Sequence, residues 1–71
     1  GTIEMRENIS LWIETNQLLT ITVVRSKAGR KTVMGRILQF QPEKDSLLVY
    51  DVDYKVMHHF ALNEIDEIAP A

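Results

Sequence analysis

The stretch on which the fold turns is TVMGRILQFQPEKDSLLVYD, Thr32 to Asp51. It sets one glycine, Gly35, inside an apolar run and a polar, proline-containing break, Gln41 to Asp45, between that run and the next. As a single flat strand, Thr32 to Phe40 does not alternate cleanly: Val33 and Ile37 share one parity, whereas Met34, Leu38 and Phe40 share the other. A strand bent at Gly35, contributing to both halves of a curled sheet, removes the conflict. Glycine inside a strand marks such a bend, a bulge or a close backbone approach.

Outward from this stretch the periodicity is regular. Before it, Leu19, Ile21 and Val23 alternate with Thr20, Thr22 and Val24, the pattern of a β-branched, half-buried strand. The KAGRK segment follows as a turn in which Gly29 supplies a left-handed conformation. Nearer the start, Met5, Ile9, Trp12, Ile13 and Asn16 recur at helical spacing, so Glu4 to Gln17 reads as an amphipathic helix with Trp12 as its main anchor. After Asp45, Leu47 to Val52 and Lys55 to Leu62 read as strands, and EIDEI as a short last strand carrying Ile65 and Ile68.

The expected architecture is mainly β (α+β). One domain spans residues 1–71, with an N-terminal helix followed by a five-stranded antiparallel, strongly bent SH3-like barrel of the Sm-like type. Ile9, Trp12 and Ile13 would plug its open end. Gly35, Trp12, Ile37 and Phe60 are the residues on which the fold is expected to depend. A domain of about 60 to 70 residues buries only roughly 60% of its unfolded surface, so a partner or a second copy would add to a small core.

Composition excludes several chemistries. Without cysteine there are no disulfides and no thiolate metal sites, which suits a reducing cytoplasm. No apolar run approaches the ~20 residues of a membrane helix, so a soluble protein with no membrane partner is expected. His58 and His59 are adjacent, and neighbouring strand side chains point to opposite faces, so the two do not grip one ion together. Ser10, Ser26 and Ser46 stand outside any nucleophile motif, and three glycines make no phosphate loop. No enzyme activity, cofactor or metal is expected.

The net charge of -2 conceals an asymmetry. Residues 1–36 carry six cations against three acids, and residues 37–71 carry two against seven. Five of the cations, Arg25, Lys27, Arg30, Lys31 and Arg36, cluster around the KAGRK turn. They form either a footprint for phosphate or for an acidic partner surface, or simply a solvated hairpin tip. Val24, Met34 and Tyr50 would add apolar contacts if they face outward.

TVMGRILQFQPEKDSLLVYD followed by HHFALNEIDEI resembles the YolD-like proteins, small bacterial and phage proteins. The matching positions are Gly35 and Ile37 in the bent strand, Pro42 in the turn, Leu47 and Val49 after it, and Phe60, Leu62, Ile65 and Ile68 at the end. Gln41 stands where that family tends to have Asp before Pro, and its longer charged N-terminal region has no counterpart here. The resemblance implies an Sm-like fold and a non-catalytic accessory partner of a Y-family translesion polymerase in the DNA-damage response. Nucleic-acid binding is the alternative, since GRILQF fits the first part of the Sm RNA-binding pattern. Gln41 to Asp45 replaces the Asp- and Asn-bearing loop of that pattern, however, and no Arg-Gly pair follows His58.

Overall fold

The computed structural model describes the backbone from Thr2 to Ala71 and the side chains from Arg6 onward. The assignment of Met5 to the apolar face of the helix lies outside the described side chains. Helix α1 spans Thr2–Thr15 and ends two residues earlier than its spacing suggests. Asn16 turns left-handed at φ 54. Its N–H bonds the Ile13 carbonyl at 3.2 Å, and the Gln17 N–H reaches back to the Trp12 carbonyl at 3.0 Å. These two bonds form a Schellman motif with asparagine at the position that glycine usually holds.

Five antiparallel strands follow: β1 Leu19–Arg25, β2 Gly29–Gln41, β3 Ser46–Asp51, β4 Val56–Ala61 and β5 Ile65–Pro70. They form one sheet in the order β4-β3-β2-β1-β5. The long β2 pairs with β1 along its first half and with β3 along its second, which curls the sheet into a barrel-like shape. The barrel is not closed, because β4 and β5 remain its two edges. The core is Ile9, Leu19, Ile21, Val23, Val33, Ile37, Leu47, Val49, Phe60 and Ile65, with Trp12, Ile13, Phe40, Leu62 and Ile68 packed against it.

Two expectations about this core need correction. The helix is anchored by Ile9, which is fully buried, and not chiefly by the half-buried Trp12. The parity of β2 also does not change at Gly35, since Val33, Gly35 and Ile37 all lie on the buried face. It changes three residues later. Ile37 pairs with Val49 and Gln39 with Leu48, so Leu38 is an extra, bulged residue, and Phe40 turns inward beyond it. Gly35 has a different reason for being glycine. A Cβ there would overlap the Tyr50 carbonyl oxygen and sit 3.0 Å from its carbon and 3.1 Å from Val49 Cγ1. The backbone of β3 crosses β2 too closely for any side chain.

A second bulge sits in β5. Thr22 pairs with Glu67 and Val23 with Ile65, leaving Asp66 unpaired. Ile65 and Ile68 are three residues apart, a spacing that a regular strand would send to opposite faces. The bulge lets both pack on the core.

Candidate functional site

Three surfaces were suggested by the sequence or emerge from the fold: the basic hairpin, the sheet edges and the end of the sheet remote from α1. The β1–β2 hairpin closes through Ser26, Lys27 and Ala28, with Gly29 at φ 74 in the left-handed region. Pairing sends successive residues of β2 to opposite faces, so the five hairpin cations do not form a row. Arg25 Nε donates to Glu64 Oε2 at 2.6 Å, and its guanidinium lies over the Phe60 ring, 5.4 Å from the centroid. Arg30 pairs with the bulged Asp66 at 2.7 Å. Arg36 Nε donates to the Asn16 carbonyl at 3.3 Å, placing a cation at the C-terminal end of α1, where the helix dipole favours one. The Lys31 ammonium stands 6.0 Å from the Tyr54 ring centroid, and Lys27 is exposed at the turn. Lys27 and Lys31 alone of the five have no carboxylate or carbonyl partner among the described residues.

The two sheet edges differ in character. Strand β5 carries Asp66 and Glu67, is bulged, and ends at Pro70. Charge, a bulge and proline are the devices that protect an edge from further pairing. Strand β4, Val-Met-His-His-Phe-Ala, has no proline, no formally charged residue other than its histidines, and an unbroken register with β3. Val56 and Met57 on it are 45% and 55% exposed, and Tyr54 just before it is 74% exposed. Of the three residues that would add apolar contacts if they faced outward, Val24 and Met34 are exposed and Tyr50 is half-buried.

The least anticipated feature is Asp51. An acid at the end of a strand beside a turn is usually solvated, yet Asp51 is 2% exposed. Its Oδ1 accepts the N–H groups of Asp53 and Tyr54, both at 2.9 Å, and so builds the turn between β3 and β4. Its Oδ2 lies 3.0 Å from His58 Nε2. Hydrogen bonds from the Tyr54 N–H and from His58 hold the Asp51 carboxyl below its ordinary value; burial pulls the other way and is outweighed. An ionised carboxylate only accepts, so His58 Nε2 carries the proton in this pair. Lys55 completes the turn at φ 59, its N–H bonding the Asp51 carbonyl at 2.8 Å. The sequence signal was the Asp-x-Asp-Tyr-Lys segment, since aspartate before a turn commonly caps the N–H groups two residues on.

His58 also stacks on Phe60, with ring centroids 5.0 Å apart and planes 14° from parallel. His59 points to the other face and is exposed. No group of three or more potential metal ligands occurs among the described residues. Trp12 and Ile37 line the core, and Phe60 is 2% exposed beneath Arg25 and His58. No helix among the described residues is long and apolar enough to cross a membrane.

Comparison with known proteins adds no identification: no family model, curated protein or solved structure matches the chain. The YolD-like resemblance rests on the residues quoted for it.

Proposed function

We propose that the protein is a non-catalytic interaction module that captures an extended partner segment on the free edge of β4. The observation that carries this reading is the contrast between the two edges. One edge is blunted by charge, bulge and proline, while the other presents unpaired backbone groups flanked by exposed Val56 and Met57. Addition of a strand there supplies main-chain hydrogen bonds for affinity, and alternate side chains of the partner meet these apolar residues for specificity. The YolD-like resemblance nominates a Y-family translesion polymerase as the partner, in a cytoplasmic DNA-damage response. A second copy of the chain is the other occupant of the same edge.

Nucleic acid stands as the weaker reading. Arg25 and Arg30 are each paired with a carboxylate, Glu64 and Asp66, and Arg36 is tied to the end of α1, so the cations make no continuous uncompensated track for a phosphate backbone. The test is binding of a purified Y-family polymerase to the intact chain and to the Met57→Lys, His59→Lys variant. Both positions are exposed, so folding should be kept, and lysine on an edge opposes pairing. A loss of at least about tenfold in affinity is expected, the equivalent of ~1.4 kcal/mol. Equal binding by the two forms, or no binding by either and a monomer by light scattering, overturns the edge reading. Tight binding of single-stranded RNA or DNA that falls steeply with salt would favour the nucleic-acid reading instead.

A further inference from the structure

The end of the sheet remote from α1 holds a cleft that strand addition does not use. Its volume is about 140 Å³, and it is lined by Val23, Arg25, Lys31, Val33, His58 and Phe60, with the Ala28–Gly29 backbone at its lip. An apolar cavity of about 150 Å³ accommodates benzene. The floor is apolar and closely packed, with Val23, Val33 and Phe60 each 2 to 3% exposed. At Gly29 an added Cβ would meet nothing within 4 Å, so the lip is open.

The rim is cationic and partly fixed. Arg25 is aimed by Glu64, whose other oxygen accepts the Ala61 N–H at 3.4 Å. Because the bond to Glu64 uses Nε, the terminal amines of the guanidinium keep their donors for a second anion. Lys31 stands on the neighbouring strand with no carboxylate partner among the described residues. Arg25 and Lys31 against Glu64 leave one positive charge at the rim. Both oxygens of Asp51 are engaged behind the imidazole by the turn and by His58.

We propose that this cleft binds a small carboxylate bearing one apolar group of about benzene size. The apolar group lies against Val23 and Val33, beside the Arg25 guanidinium that covers Phe60, and the carboxylate lies between the terminal amines of Arg25 and the ammonium of Lys31. A planar monoanion suits both the guanidinium and the single net charge of the rim better than a phosphate dianion does. The chemistry is that of a free aromatic or branched aliphatic acid, or of a peptide C-terminus ending in an apolar residue. The proposal needs no partner on the β4 edge, although His58 and Phe60 of β4 line the cleft.

The test is a two-dimensional amide NMR titration of the intact chain with benzoate, benzyl alcohol, inorganic phosphate and a short peptide ending in phenylalanine, free or amidated. Saturable shifts of Val23, Gly29, Val33 and Phe60 with benzoate or the free peptide are expected. A ligand of this size should give Kd on the order of 1 mM or tighter. Lys31→Met, at an exposed position, should weaken binding at least about fivefold while leaving the rest of the spectrum unchanged. Tighter binding of the free peptide than of benzoate, with loss on amidation, assigns the site to a chain terminus; the reverse order assigns it to a free acid. The proposal is overturned by any of four results: no shifts at 20-fold excess over ~1 mM, benzyl alcohol matching benzoate, phosphate occupying the same residues in preference, or Lys31→Met binding as well as wild type.

Discussion

Gly35 and Asp51 are single residues whose roles come from what the backbone brings against them. At Gly35 the obstacle to a side chain is the Tyr50 carbonyl, a backbone group that does not swing aside as the end of a flexible side chain would. Gly35→Ala should therefore cost about 2 kcal/mol or more, read as a shift of the urea midpoint. Gly29→Ala, with open space around the new Cβ but φ 74, should cost only ~1 kcal/mol. Equal losses at the two sites would mean that β3 does not crowd β2. Asp51 makes a pH prediction. Because its folded carboxyl titrates below the ordinary value of 3.8, its stabilising effect is complete above that value. The effect is lost as pH falls through the lowered folded value. Thermal unfolding from pH 7 to pH 2 should show a smaller acid loss in Asp51→Asn than in wild type. An unchanged acid limb would assign it to other carboxyl groups.

Elements end and bend where local chemistry and cross-strand pairing meet. The end of α1 was misplaced by periodicity, because Asn16 continues the helical spacing of Ile9 and Trp12 but adopts the left-handed conformation that asparagine tolerates. Asn16→Ala should lower stability by about 1 kcal/mol and Asn16→Gly should not lower it, as measured by chemical denaturation. The same loss in both would place the stabilisation in the asparagine side chain. Strand β2 is the complementary case. The mixed parity of Val33, Ile37 and Phe40 was visible in the chain and correctly implied an irregular strand. Its position was not, because Gly35 and Leu38 are both places at which parity can be reset. Only pairing to β3, with Ile37 opposite Val49 and Gln39 opposite Leu48, selects Leu38.

Across the whole molecule the helix and the sheet share one core. Ile9 is fully buried against strands contributed by the rest of the chain, whereas Leu11, two residues on, is 52% exposed. Ile9→Ala should cost about 3 kcal/mol and Leu11→Ala less than ~0.5 kcal/mol. A small domain is typically stable by only about 5 kcal/mol or a little more, so the first change removes much of the total. Helix and sheet signals in circular dichroism should then melt together at a lower temperature. Separate transitions, or similar effects of the two substitutions, would show that α1 is not part of the core.

The order of one helix and five strands, the left-handed Gly29 turn and the alternating core residues of β1 were legible in consecutive residues. Periodicity of 3.6 or 2 and the conformational freedom of glycine are local properties of a chain. The two bulges, the burial of Asp51 with His58, the separation of the five hairpin cations and the contrast between β4 and β5 were decided only in three dimensions. Each depends on which residues distant in sequence lie opposite one another. A shift of one residue in that register moves every side chain beyond it to the other face.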